Sequence, residues 1–234
     1  SFVGEGIGNW DVSKVIDMRF AFRDAINFNG EIGSWETSSV TNMAFMFSNA
    51  TLFAGDLSKW KVGEVEDMES MFHGAESFDS DLYWDTSSAT TMDYMFNGAT
   101  SFDGDVSSFD VSRVTGMHGM FSEAASFNGD ISSWDLSRVS SLYGMLYGAT
   151  SFNRDLCAWG DDTFSYESAV DIFAESGCTY QDDPNLDWSG PFCASSCPQQ
   201  GDDTSNAGCS LIAVVSVIVH PINHTYSFGV LIYH

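Results

Sequence analysis

Carboxylates recur along this chain at nearly constant intervals, and a regular ladder of acids is the raw material of a cation site. One series is Glu31, Asp56, Asp81, Asp105, Asp130 and Asp155; a second is Asp11, Glu36, Asp85, Asp110 and Asp135, interrupted by Lys61. Calcium takes about six to eight oxygen ligands, so ions held between neighbouring carboxylates are one use for them. The weak calcium candidates are Asp56, Asp81, Asp105, Asp130 and Asp155. Acids stacked about 4.8 Å apart would otherwise repel by ~0.9 kcal/mol in water and ~3.5 kcal/mol at an effective dielectric of 20. The local alternative is that each acid accepts backbone N–H bonds within its own turn, which suits the Gly30, Gly55, Gly104 and Gly129 that precede the first series. Neither the glycine-rich calcium repeat nor an EF-hand loop is present, so the local use is the favoured one. Lys14, Arg113 and Arg138 stand near second-series acids and would partly neutralise them.

Other reactive residues suggest covalent rather than catalytic roles. All five cysteines, Cys157, Cys178, Cys193, Cys197 and Cys209, fall in the last third of the sequence. Cys193 and Cys197 have a metal-ligand spacing, but no second close pair completes a zinc site, so disulfides are expected. Cys157 with Cys178 and Cys193 with Cys197 are candidate pairs that leave Cys209 odd, and spacing alone leaves the connectivity open. Asn49 and Asn223 head glycosylation sequons, usable only in a eukaryotic secretory pathway. Asn49 also replaces the turn glycine of other units, which gives it a second reading as a left-handed turn residue. The histidines His73, His118, His220, His224 and His234 are scattered. No zinc-hydrolase, phosphate-loop, dinucleotide or nucleophile-elbow motif appears. Most acids repeat rather than standing out as a unique pair, and a non-catalytic protein is expected.

The elements that must position these residues follow from the repeat itself. An aromatic opens each unit at Trp10, Trp35, Trp60, Trp84, Phe109, Trp134 and Trp159, at intervals of 25, 25, 24, 25, 25 and 25 residues. Eight residues after each aromatic comes Met18, Met43, Met68, Met92, Met117 or Leu142; four later, Phe22, Phe47, Phe72, Phe96, Phe121 or Leu146. A second Phe follows after six residues, at Phe28, Phe53, Phe78, Phe102, Phe127 and Phe152, and an acid of the first series three after that. Only the joint from acid to aromatic varies, three residues from Asp81 to Trp84 and five from Glu5 to Trp10, so this joint is expected to be a surface turn.

Constant intervals of this kind specify stacked coils that bury matching columns against one another. The predicted fold is an α/β repeat solenoid, leucine-rich-repeat-like, with parallel short strands and one helical turn per coil of about 25 residues. The helical turn rests on the spacing of Val40, Met43, Met46, Phe47 and Ala50 and on Gly74, Gly98 and Gly148 as stops. An all-β solenoid is the alternative. Val15, Met18, Phe22, Phe28, Ile32 and Trp35, with their column mates, are expected to point inward.

The predicted organisation is a solenoid of about six coils over 1-156, N-terminally incomplete because Ser1-Phe2 aligns with mid-unit. A cysteine-containing cap over 157-197 follows, including the altered Met-Phe element at Val170 to Ala174, then a polar linker over 198-210 and a hydrophobic tail over 211-234. The apolar run from Leu211 to Val219 is shorter than the ~17–25 residues that span a bilayer. With 8 basic against 33 acidic residues, a formal net charge of -25, nucleic acid and anionic membranes are poor partners.

Units such as Trp134-Asp135-Leu136-Ser137-Arg138-Val139, the run from Asp93 to Phe102, and Asn128-Gly129-Asp130-Ile131-Ser132 resemble the repeats of the BspA-like surface-protein family. Its leucine-rich-repeat-like units occur in bacterial surface lipoproteins and in proteins of protists and marine microalgae. The resemblance covers roughly residues 1 to 175. It implies a secreted or cell-surface location and a recognition or adhesion role, with an extracellular protein or glycan as partner, and it brings no catalytic residues. A structural matrix or cell-wall role, with self-association assisted by calcium, is the alternative. The cysteines independently favour an oxidising compartment.

Overall fold

Each eight-residue run from the Met column onward makes two kinds of backbone hydrogen bond in strict alternation. In a computed structural model that describes residues 2–160, 169–184 and 192–194, the amides of Met43, Phe45, Phe47 and Asn49 leave their own coil. They donate to the carbonyls of Asp67, Glu69, Met71 and His73 at 3.0, 2.8, 2.8 and 2.6 Å. The amides between them, Met46, Ser48 and Ala50, turn back onto Met43, Phe45 and Phe47 at 3.1, 3.2 and 2.9 Å. The same alternation recurs from Met18, Met68, Met92 and Met117.

This pattern replaces the predicted helical turn, whose amides would all bond four residues back. The left-handed residues enforce the difference. Phe45 and Asn49 have φ of 58° and 59°, and the matching positions Ser70 and Gly74, Tyr94 and Gly98, Gly119 and Glu123, and Gly144 and Gly148 are left-handed too. A right-handed helix cannot include such residues. Gly74, Gly98 and Gly148 therefore mark a left-handed column rather than helix ends.

The predicted strand is shortened as well. One parallel bridge per coil runs through Asp17, Asn42, Asp67, Thr91, Gly116 and Ser141. Among the described residues there is no α-helix and no strand longer than a single bridge; two 3-10 turns, Ile7–Asn9 and Cys157–Gly160, are the regular elements. The described residues thus form a largely irregular but compact body of repeated units organised by periodic aromatic clusters. Neither α/β nor all-β describes its backbone, because the polar groups that would build strands or helices are divided between local turns and the next coil.

We number the coils from their opening aromatics: coil 1 is 10–34, coil 2 is 35–59, coil 3 is 60–83, coil 4 is 84–108, coil 5 is 109–133 and coil 6 is 134–158. Their cores are columns of rings. Phe22, Phe47, Phe72, Phe96 and Phe121 stack with centroids 5.4 to 5.5 Å apart, and each lies about 4 Å from the second Phe of its coil, as in Phe72 and Phe78 at 4.0 Å. These rings are completely buried from coil 2 onward. Burying one such side chain contributes about 1.5–3 kcal/mol, and because each ring faces the coils on either side, that stabilisation exists only in the stack.

Met18, Phe22, Phe28, Ile32 and Trp35 point inward as expected; Val15 is only half-buried, whereas Val40, Val65 and Val114 in its column are fully covered. The Trp column also fastens coils together. The indole N–H groups of Trp35, Trp60, Trp84 and Trp159 donate to the carbonyls of Ile7, Ile32, Leu57 and Ile131 in the preceding turn, at 2.9 to 3.1 Å. Trp10 departs from its column and is 61% exposed. Trp134 is buried, but its Nε1 has no hydrogen-bond partner among the described residues.

The variable joint is at the surface, with Tyr83 on the shortened turn 62% exposed. Gly6, at φ 76°, begins the 3-10 turn that absorbs the extra residue before Trp10. Past coil 6 the altered element continues the pattern: Gly144, Leu146 and Gly148 donate to Val170, Ile172 and Ala174, and Asp171 and Glu175 are left-handed in register. The chain divides into two compact units, Ser1–Cys197 and Pro198–His234. The linker at 198-210 and the tail at 211-234 lie outside the described residues. Among the described residues, no helix is long and apolar enough to cross a membrane.

Candidate functional site

Most aspartates of both acidic series are occupied locally. Asp56, Asp105, Asp130 and Asp155 each accept the backbone N–H two residues on, from Ser58, Ser107, Ser132 and Cys157, at 2.9 to 3.0 Å. Asp11, Asp85, Asp110 and Asp135 do the same with Ser13, Ser87, Ser112 and Ser137. Asp81, on the shortened joint, instead accepts from Asp105 N of the next coil at 2.9 Å and from the Tyr83 hydroxyl at 3.2 Å. Hydrogen bonds from the serines hold the carboxyls of Asp56, Asp85, Asp105, Asp110, Asp130 and Asp135 below the ordinary value. Among the described residues no three His, Cys, Asp or Glu side chains converge on a cation position. Lys61, which breaks the second series, pairs with Glu36 of the previous coil at 3.1 Å. Lys14, Arg113 and Arg138 are in no ion pair within 4 Å among the described residues, although the Arg138 charge helps to hold Asp135 down.

The glycines before the first series serve packing rather than the turn. At Gly55 a Cβ would lie 2.8 Å from the Phe53 ring, so only a bare Cα lets the backbone cross the second Phe column. Asn49 is left-handed at φ 59°, as its position at the turn glycine suggested, and its Nδ2 donates to Asp24 Oδ1 at 2.8 Å. Asn223 lies outside the described residues, as do Cys197 and Cys209. The disulfide seen is Cys178–Cys193, which replaces both pairings considered from spacing, and Cys157 is also disulfide-bonded. Sequence distance misleads here because Cys193 returns beside coil 6: Asp155 and Cys193 form an antiparallel bridge, and Ala194 N donates to the Arg154 carbonyl.

What breaks the uniformity is the outer side of the turn, one, two and five residues beyond the Met column. In coils 1 and 2, Phe20 and Phe45 stack there at 5.2 Å, with the Arg23 guanidinium 5.5 and 5.6 Å from the two centroids. In coils 4 to 6 the same side carries Tyr94, His118 and Tyr143, in a run with centroids 4.9 and 4.8 Å apart. Tyr94 and Tyr143 are exposed and His118 is half-buried. Together with Gly119, Tyr147 and Asp171, among others, they line a cavity of about 190 Å³. A Cβ on Gly119 would come within 2.8 Å of the Tyr94 ring, and φ there is +55°.

The field around this cavity is negative. Burial, with the charges of Asp93 and Glu69 adding to it, raises the Tyr94 hydroxyl. A hydrogen bond to Glu175, then the charges of Glu175, Glu123 and Asp171, raises that of Tyr147. Asp93 itself accepts His118 N at 2.7 Å and so fixes the start of the next turn. In the sequence His118 is one of five scattered histidines, and none of these tyrosines stands out. The signal lay in comparing equivalent offsets, where Phe, Ser, Tyr and Gly share one column.

The repeat pattern now has a family attached: two successive matches to the family model described as Mycoplasma protein of unknown function, DUF285, cover residues 1–83 and 82–185. The chain belongs to the DUF285 family. No curated protein and no solved structure matches it. The two DUF285 matches meet at the shortened joint between Asp81 and Trp84, and the second runs past the altered Met-Phe element. The DUF285 body therefore includes the aromatic cavity of coils 4 to 6 and the left-handed Asp171 on its rim.

Proposed function

We propose that the protein is a non-catalytic recognition or adhesion module, secreted or held at a cell surface, that binds an extracellular protein or glycan through the outer side of its turns. The observation that carries this reading is the Tyr94, His118 and Tyr143 cluster. The inner columns repeat from coil to coil, whereas this patch of exposed rings breaks the repeat on one side. Exposed aromatics around a cavity are costly to solvate and are typical of contact surfaces. The disulfide supports an oxidising compartment. The stacked units, with their resemblance to BspA-like repeats, support a leucine-rich-repeat-like solenoid as the scaffold.

The test is a binding screen of the full chain against extracellular proteins and a glycan array, with Tyr143→Ala as the comparison. The expected result is at least one binder whose signal falls with Tyr143→Ala. Loss of the reading follows if nothing binds, or if every binder ignores the substitution.

The exposed acidic series favour a second reading, a matrix or cell-wall protein that self-associates through calcium. Light scattering during calcium titration separates the two, because growth of particles that reverses with chelator is expected only of the matrix role.

A further inference from the structure

The two aromatic clusters on the outer side differ in whether they carry their own cation. In coil 1 the Arg23 guanidinium lies over Phe20 and Phe45 at distances of 5.5 and 5.6 Å, within the ~6 Å at which a cation is drawn to the negative face of a ring. Arg23 stands five residues past the Met column. The same position holds Asn97, Ser122 and Tyr147 in coils 4, 5 and 6. All eight Lys and Arg residues lie between Lys14 and Arg154, and none lines the cavity beneath Tyr94 and Tyr143. Acids surround it instead, with Asp171 in its wall and Asp93, Glu69, Glu123 and Glu175 close enough to act on its tyrosines. At about 190 Å³ it is smaller than the ~300–1,000 Å³ of ordinary ligand pockets. That size suits the head of one side chain better than a sugar chain.

We propose, building on the recognition reading above, that this cavity binds the guanidinium of an arginine on a basic partner segment, in the role that Arg23 plays over Phe20 and Phe45. The partner's guanidinium lies against the Tyr94 and Tyr143 rings, and the Asp171 carboxylate accepts its N–H groups. Guanidinium is favoured over ammonium because it is planar, stacks on rings and is more weakly hydrated, so it loses less on leaving water. A carboxylate accepting from it adds charge-assisted bonds. Gly119 keeps the place open, because any Cβ there would press on the Tyr94 ring.

The experiment titrates the isotope-labelled full chain with Gly-Gly-Arg-Gly-Gly, and with the lysine and glutamine versions, at about 150 mM salt to screen long-range attraction. The expected result is shifts confined to the amides of coils 4 to 6 near Tyr94, His118, Tyr143 and Asp171. The arginine peptide should bind about tenfold more tightly than the lysine peptide, consistent with the ring-stacking preference. Tyr143→Ala and Tyr94→Gly should abolish the shifts, Asp171→Asn should weaken them severalfold, and Tyr143→Phe should keep them. Tyr94→Gly suits the left-handed backbone, and a melting curve for each variant shows that it is folded. Equal binding of the arginine and lysine peptides, or binding unaffected by Tyr143→Ala in a folded protein, overturns the proposal. A protein or glycan hit lost in Tyr143→Ala, with no response to the arginine peptide, overturns the guanidinium assignment and leaves the recognition reading standing. Arginine binding with an empty screen supports the site and removes only the broader reading.

Discussion

Two columns only two residues apart are treated in opposite ways by this fold. Phe22, Phe47, Phe72, Phe96, Phe121 and Leu146 are all large, apolar and inward-facing, whereas the column before them reads Phe20, Phe45, Ser70, Tyr94, Gly119 and Gly144. Yet the variable column keeps one backbone conformation, since φ lies between 53° and 60° at all six positions. A left-handed backbone costs a non-glycine residue roughly 1–2 kcal/mol, and the amide bond to the next coil at each of these positions helps to offset it. The stack thus dictates shape on the outer side and leaves chemistry open, while on the inner side it dictates both.

The sharpest way to break this comparison is to remove an inner ring. Phe72→Ala, which deletes contacts with Phe47, Phe78, Phe96 and Trp84, is expected to destabilise the protein by about 3–5 kcal/mol in urea unfolding. A loss below ~1 kcal/mol would show that the columns do not share one core.

At the far end of the stack, replacing Cys178 and Cys193 together by Ala should cost about 3 kcal/mol, the value for cross-linking a separation of 15 residues. The same unfolding measurement reads it. On the outer side, Gly119→Val puts a branched side chain at φ +55°, with its Cβ 2.8 Å from the Tyr94 ring. A loss of about 1–3 kcal/mol is expected, and a neutral result would show that the outer backbone is not fixed after all.

Acid should affect the two kinds of carboxylate in opposite directions. Serine hydrogen bonds hold Asp105, Asp110 and Asp130 below the ordinary 3.8. Their stabilisation is therefore complete above that value and is lost as pH falls through their folded values. Burial, with Asp67 and Asp93 nearby, raises Glu69 above 4.5. Its contribution is present below 4.5 and lost as pH rises through the folded value. Melting temperatures of Asp130→Asn and Glu69→Gln should both approach the parent's near pH 2, where these carboxyls are protonated, and should part in opposite directions towards pH 6, the first falling below the parent and the second rising above it. The smallest stability effect belongs to Tyr143→Ala, expected to lie within about 0.5 kcal/mol of the parent because the ring is exposed. Its consequence should appear in partner binding alone.

Much of the inner side was legible from the sequence. The intervals that set Met43, Phe47, Phe53 and Trp60 apart are those at which their rings and thioethers meet equivalent residues in the next coil. Asp105 and Asp130 were readable as turn acids because a short carboxylate can reach an amide two residues away without help from the rest of the fold. The helical reading of Val40 to Ala50 failed for a definite reason. A spacing of three and four also arises from alternating turns, and periodicity cannot show which amides leave the coil. The Cys178–Cys193 bond was hidden too, because it depends on a return of the chain beside coil 6.

The sequence by itself determined which residues share a column, because apolar side chains repeated at a fixed interval can be buried only by stacking that interval on itself. It also determined the acid turns, whose bonds span two residues. The tertiary structure decided the conformation of the turn and the existence of the aromatic cavity. Tyr94 lies two residues past Met92, whereas His118 and Tyr143 lie one past Met117 and Leu142, so no single repeat position contains them. They come together because stacked coils place those offsets side by side and Gly119 contributes no side chain to keep them apart.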